Sequence, residues 1–278
     1  MSRAGIVYNT SFIIDPRMKE IIMPTLKEKW QIDKPIDAVI FDCDSTLSGV
    51  EGITILAEQN GVYPQVHLLT EKAMNETGLS LDVYKKRLEL VRPRKEQMDS
   101  VVNAYWENLT PHVNEVIDCL QGLGKSVFVV SAGVQEAVAG YAKKLHIPEE
   151  HVFAVDIYFD HQGNYKDFDN TCALATQNGK LKFVNELRKK YSRIAHIGDG
   201  MNDVEAAKHV DRFIGYGGVK YRELIAEMCD FYITCKSLSP LLPLLLTTHE
   251  AEKLNGNSRQ LYVNGLQFIA KNCVEIRG

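Results

Sequence analysis

The cysteines of this chain form no pattern that would give them metal or redox chemistry. All six stand alone, at positions 43, 119, 172, 229, 235 and 273, with no CxxC pair and no zinc-ligand spacing. Scattered thiols read as small core residues in a reducing compartment. Long hydrophobic runs are also missing. The apolar stretch at 238–246 is interrupted by Pro240 and Pro243 and falls short of the ~20 apolar residues a membrane span needs. Residues 8–19 mix apolar, polar and charged side chains, so the N-terminal region carries no signal-peptide pattern. The expectation is a cytoplasmic protein without membrane contact. Net charge is −4 with no long basic run, which argues against a nucleic-acid partner. No internal repeat or low-complexity tract is visible.

What is present is ordinary in bulk and pointed in detail. The 278 residues are 45% hydrophobic and 24% charged, enough for a full core and a smaller second domain. The stretch that organises the chain is Val39-Ile40-Phe41-Asp42-Cys43-Asp44-Ser45-Thr46. A short apolar run, read as a strand over residues 36–41, stops at two carboxylates one residue apart. Open α/β sheets place ligands at such carboxyl ends. Alternation along a strand would aim Asp42 and Asp44 to one side, where they repel unless a cation or shared proton intervenes. A pair that holds Mg2+ and attacks a phosphate satisfies this.

The rest of the chain divides into four regions. Residues 1–34 read as an N-terminal helical extension, with a helix over 18–30. Residues 49–109 lose strand signals and show helical periodicity (Ile53, Leu56, Ala57; then Leu81, Tyr84, Leu88, Val91), broken at Arg92-Pro93-Arg94. They are expected to form a small helical cap. Residues 35–48 and 110–237 alternate strand and helix, which implies a doubly wound, mostly parallel sheet. In that core, Thr110-Pro111 reads as a helix N-cap and first turn. Strands are expected at 127–130, 152–159 and 193–197, and a helix from Gly179-Lys180. Residues 238–278 read as a C-terminal helical extension.

Three further strand or helix ends carry polar groups. Ser131 follows the 127–130 run, with a glycine nearby that lets backbone amides approach an anion. Lys180 opens a helix, where the dipole disfavours a cation unless an anion is at the same spot. Asp199 and Asp203, in Gly198-Asp199-Gly200-Met201-Asn202-Asp203, can point to one centre with oxygen ligands suited to Mg2+. Singly, these are a helix cap, a solvated lysine and an Asp-Gly turn. Together they bring carboxylates, a hydroxyl and a cation to one sheet edge.

Those four segments resemble the motifs of haloacid dehalogenase superfamily phosphatases, over roughly residues 35–237, with the nearer likeness to the phosphoserine phosphatase branch. Val50-Glu51-Gly52-Ile53, Arg87 and the late Phe213–Gly218 segment with Arg222 are similar to that branch as well. The resemblance implies a Rossmann-like core with a helical cap and Mg2+-dependent hydrolysis of O-phospho-L-serine, the last step of serine biosynthesis. Asp42 would be the nucleophile, forming an aspartyl-phosphate, and Asp44 the general acid and base. Ser131, the Ala132 N–H and Lys180 would bind phosphate. The resemblance assigns the metal to Asp42, the Asp44 backbone carbonyl, Asp199 and Asp203. Glu51, Met74, Arg87 and Asn202 would meet the substrate, a small phosphomonoester.

The cap departs from that pattern at Asn75, Glu76 and Ser80, and Ala132 replaces a glycine after Ser131. A related phosphatase for another small phosphate monoester therefore stays open. So do a non-catalytic binding protein on the same scaffold and a homodimer.

Overall fold

The run before the acidic pair becomes the centre of a sheet. The computed structural model describes residues 30–72 and 79–277. Strand β1 (Ala38–Phe41) is followed by four helices, α1 (Gly52–Gln59), α2 (Tyr63–Lys72), α3 (Leu81–Val91) and α4 (Met98–Glu107). The chain returns through α5 (Val113–Gly122), β2 (Ser126–Val134), α6 (Gln135–Lys144) and β3 (Val152–Val155) to a hairpin of β4 (Ile157–Phe159) and β5 (Tyr165–Phe168). Then come α7 (Gly179–Leu187), β6 (Ile194–Gly198), α8 (Met201–Ala207), β7 (Arg212–Tyr216), α9 (Glu223–Glu227) and β8 (Phe231–Ile233). Helices α10 (Leu241–Leu245), α11 (Thr248–Glu252) and α12 (Gly256–Ala270) lead to β9 (Val274–Ile276).

The seven-stranded sheet has the order β3-β2-β1-β6-β7-β8-β9, parallel throughout except for β9 against β8. Strand order reverses at β1, and that reversal opens a crevice at the carboxyl ends of β1, β2 and β6. All four residues of β1 are inaccessible, with Val39 and Phe41 in one core cluster and Ala38 and Ile40 in another. Burial of a large apolar side chain stabilises by about 1.5–3 kcal/mol, so a four-residue strand covered on both faces is well anchored. The carboxylates that follow it therefore start from a rigid base. The expected doubly wound α/β architecture is what the chain adopts, with five α-helices, α1 to α5, between β1 and β2 among the described residues.

Several boundaries differ from the sequence reading. Thr110 does not cap a helix. Its hydroxyl donates to the Thr46 carbonyl at 2.8 Å and its N–H to Leu47 at 3.1 Å, so it is tied to the loop after β1. The helix starts three residues later, behind His112 in the left-handed region (φ 69°). Strand β2 runs past Val130 to Val134 with an irregularity in its pairing to β3, which puts Ser131 inside a distorted strand rather than beyond its end. The apolar 152–159 run splits at Asp156, β3 joining the main sheet and β4 the hairpin. The C-terminal region is not helical throughout, because β9 completes the sheet edge. The helix expected over 18–30 lies outside the described residues, apart from its last position.

Candidate active site

Asp42 continues the ladder of β1, its N–H donating to Ile197 at 2.9 Å, so its position is set by the sheet. From α7, Lys180 reaches the same point: its Nζ lies 2.7 Å from Asp42 Oδ1 and 2.6 Å from Asp203 Oδ1, all three side chains buried. Asp203, in the first turn of α8, accepts two further contacts. His196 Nε2 is 2.7 Å from Oδ1 and the Gly200 N–H is 3.1 Å from Oδ2. Burial holds the His196 ring below its usual pKa, so the neutral imidazole donates Nε2–H to a carboxylate that can only accept. Gly198 is required for this packing: a Cβ there would stand 2.1 Å from Asp203 Cγ.

Nearest oxygens of Asp42, Asp199 and Asp203 lie within 4.8 Å of one another. Burial opposes ionisation of Asp203, but Lys180 and His196 outweigh it and draw its pKa down to about 2. Burial instead pushes Asp199 up to about 7 against the pull of Arg222, whose Nη2 is 3.4 Å from Oδ2. Asp42 is also raised, by burial foremost, against the pull of Lys180 and helped by its acidic neighbours. Lys180 stays charged because Asp203 and Asp42 overcome its desolvation. The site therefore holds more negative charge than its cations balance. Three hard oxygen donors at this spacing fit a hard divalent cation, which would relieve that imbalance.

Asp44 stands outside the metal-spaced trio. Its Oδ1 accepts the Gly52 N–H at 2.8 Å and the Tyr105 hydroxyl at 2.7 Å. Burial raises it to about 6, partly offset by those two donors. Ser131 is fully buried, its Oγ accepting the Gly133 N–H at 3.0 Å.

One cleft collects Asp42, Asp44, Ser131, Ala132, Asp199 and Asn202 from the core and Glu51 and Arg87 from the helical segment. Glu51 is the N-cap residue of α1 and accepts from Thr54 Oγ1 at 3.3 Å. Arg87, on the buried face of α3, lies over the Tyr84 ring (5.5 Å) and donates to Thr70 Oγ1 at 3.4 Å. No carboxylate of the described residues lies within 4.0 Å of this buried guanidinium. Lys180 and Asp203 sit behind the cleft wall, touching it through Asp42. Met74 lies outside the described residues.

Sequence reasoning missed Tyr105, His196 and Thr70, and gave Arg222 no partner. A lone histidine inside the apolar Ala195-His196-Ile197 run is a signal that was there to find. Tyr105, 61 residues from Asp44, has no local signal.

The family model for haloacid dehalogenase-like hydrolases matches residues 36–211, which contain every one of these groups except Arg222. The chain belongs to that family. Among relatives of the hydrolase are the phosphoserine phosphatases of Rattus norvegicus and Homo sapiens, each 37% identical over 200 residues, spanning 71% of this chain and 89% of theirs. A solved phospho-aspartyl intermediate analogue of phosphoserine phosphatase superposes with a TM-score of 0.68 at 25% identity, covering 77% of this chain and 100% of that one.

Proposed function

We propose that this hydrolase cleaves O-phospho-L-serine to L-serine and phosphate. The observation that carries the reading is one cleft lined by the acidic pair, Glu51 and a buried Arg87 that has no carboxylate of the described residues within 4.0 Å. A buried guanidinium without an anionic partner is costly unless a ligand supplies one, and arginine binds carboxylates bidentately. The 37% identical phosphoserine phosphatases support the same substrate.

In this reading Asp42 attacks phosphorus and becomes an aspartyl-phosphate as the bond to the serine oxygen breaks. Asp44 gives that oxygen a proton, then takes one from the water that hydrolyses the aspartyl-phosphate. Ser131, the Ala132 N–H and Lys180 bind the transferring oxygens, the electrostatic part on which phosphoryl transfer depends. Glu51 pairs with the substrate ammonium, and Arg87 with its carboxylate. Met74 and Asn202 are assigned to the substrate end as well. The cofactor is Mg2+, held by Asp42, the Asp44 backbone carbonyl, Asp199 and Asp203. When bound it supplies charge neutralisation between an anionic nucleophile and an anionic phosphate. Asp203 also holds Lys180 in place. Residues 49–109 act as the cap, 35–48 and 110–237 as the core, with extensions at 1–34 and 238–278. Six unpaired thiols fit a reducing compartment such as the cytosol.

Another small phosphate monoester is the second reading, favoured by Asn75, Glu76 and Ser80 in the cap. Ser80, however, is exposed and caps α3, its Oγ accepting from Val83 N at 3.2 Å. That departure leaves the cleft lining as it is. A panel of phosphomonoesters with Mg2+ separates the two: O-phospho-L-serine should have the highest kcat/KM, and Asp42→Asn should abolish turnover. Full activity in Asp42→Asn would overturn the mechanism.

A further inference from the structure

Tyr105 belongs to none of the four motifs, yet its hydroxyl is spent on the acid and base of the reaction. Its ring is fully buried on α4 and packs against Tyr141 of α6, the centroids 5.3 Å apart. The two hydroxyls are used differently. Tyr141 Oη donates to the Leu47 carbonyl at 2.8 Å, a contact within the scaffold. Tyr105 Oη donates to Asp44 Oδ1 at 2.7 Å, and the same oxygen accepts the Gly52 N–H at 2.8 Å. Oδ1 is thus held by one donor from α1 and one from α4. Among the described residues no donor reaches Oδ2. That oxygen lies 3.2 Å from where a Cβ on Gly133 would stand, on the Ser131 side of the cleft.

A carboxylate gripped on one oxygen has one working orientation. Rotation about Cβ–Cγ would break two charge-assisted hydrogen bonds and exchange the free oxygen for the held one. With two donor hydrogens already pointing at Oδ1, the proton of the neutral form belongs on Oδ2. We infer that Tyr105 is a positioning residue for Asp44: together with Gly52 it keeps Oδ2 turned to the phosphate side of the cleft, as the oxygen that gives and retakes the proton. A buried tyrosine needs a hydrogen-bond partner in any core. Tyr141 meets that need with a carbonyl, whereas Tyr105 meets it with the side chain that transfers the proton. The inference rests on the reading of Asp44 as general acid and base.

The test compares two substrates with Mg2+ present. Serine leaves O-phospho-L-serine as an alkoxide that needs a proton, whereas p-nitrophenyl phosphate releases a stable phenolate that does not. Asp44→Asn comes first: it should slow phosphoserine turnover far more than the pre-steady-state release of p-nitrophenolate. Tyr105→Phe should share that signature. Its kcat for phosphoserine should fall about 10- to 100-fold, part of the 10²–10⁴ that general acid–base catalysis contributes, with KM and the p-nitrophenolate burst rate within about three-fold. Gly52→Ala disturbs the same contact from the other side, since its Cβ would stand 2.4 Å from Tyr105 Oη. It should show the same split and decides the matter if Tyr105→Phe does not fold. Tyr141→Phe, which removes an equally buried hydroxyl, should show no split. Equal losses on both substrates, or no loss on either, in the Tyr105 and Gly52 variants would overturn the inference while leaving Asp44 its role. If Asp44→Asn itself shows no split, the reading of Asp44 fails and the inference falls with it.

Discussion

Lys180 Nζ sits 2.7 Å from Asp42 Oδ1, and both side chains are buried, Asp42 reaching the cleft and Lys180 lying behind it. The lysine is therefore a fixed counter-charge for Asp42, the proposed nucleophile, before any substrate arrives. Lys180→Met removes the ammonium shared by Asp42 and Asp203 and leaves those two buried carboxylates without it. Loss of a single preorganised donor to developing charge costs about 10²–10³ in kcat, and that drop is expected in steady-state phosphate release. Lys180→Arg should recover little, because a planar guanidinium does not fit a slot built around a point charge 2.6 Å from Asp203. Near wild-type turnover in Lys180→Met would remove the lysine from the mechanism.

Metal binding should register as stability, because the metal-free site is charge-frustrated. Asp199 is raised from 3.8 to about 7 by burial, against the pull of Arg222. A raised carboxylate binds more protons folded than unfolded, so its contribution to stability is present at low pH and lost as pH rises from about 3.8 through about 7. Metal-free Asp199→Asn should accordingly melt at a higher temperature than wild type at pH 8, and the two should converge toward pH 5. Adding Mg2+ should raise the wild-type melting temperature and narrow that gap, while moving Asp199→Asn little. Thermal scans with and without EDTA check both halves. A wild-type melting temperature indifferent to Mg2+ would take the metal away from this trio.

The C-terminal region is pinned to the sheet by a second ion pair, its lysine buried and its carboxylate half-buried. Lys125 Nζ reaches Glu250 Oε1 at 2.5 Å and the Ile36 carbonyl at 2.9 Å, joining α11 to the segment that enters β1. Glu250 also closes a capping box with Thr247, accepting its N–H at 2.8 Å. Burial raises the Glu250 pKa, but Lys125 and Thr247 outweigh it and leave the carboxyl below its usual 4.5. A lowered carboxylate stabilises above the unfolded pKa and loses that contribution as pH falls through the folded one. Glu250→Gln should cost about 1.5–3 kcal/mol at pH 7, as expected for a hydrogen bond between charged groups. The difference from wild type should shrink below about pH 4.5. Urea titrations at pH 7 and pH 4 measure it, and a gap that widened at low pH would refute the assignment.

What was legible beforehand follows from where each signal resides. Apolar runs ending in Asp42 and Asp199 carry both the strand and the residue it delivers, so the sheet and its carboxylates were readable together. Helical periodicity put Tyr84, Leu88 and Val91 on one face, and all three are buried in α3; Arg87, buried beside them, was picked out by the family resemblance and not by the period. Contacts across long separations left no such trace. Thr110 looks like a cap until Thr46, 64 residues earlier, claims its hydroxyl. Residues 274–276 form a strand only because β8 offers an edge to pair with, and a three-residue segment has too little pattern of its own. Tyr105 is one more aromatic on a helix until Asp44 is brought beside it.

Arg87 supplies the sharpest substrate prediction. It is buried with its guanidinium in the cleft, is held by Thr70 Oγ1 at 3.4 Å and the Tyr84 ring, and lies within 4.0 Å of no described carboxylate. If it waits for the substrate carboxylate, its removal must hurt only substrates that have one. A hydrogen bond between charged groups is worth about 1.5–3 kcal/mol, which corresponds to about 10- to 100-fold in kcat/KM. Arg87→Ala should lose that factor on O-phospho-L-serine, mostly through KM, and change little on phosphoethanolamine, which keeps the ammonium and phosphate but lacks the carboxylate. Arg87→Lys should recover only part of it, because an ammonium cannot make the bidentate contact. Glu51→Gln should behave in mirror image, weakening both of these substrates and sparing an ester with no ammonium. Equal losses on phosphoserine and phosphoethanolamine in Arg87→Ala would mean the arginine holds the helices together rather than reading the substrate.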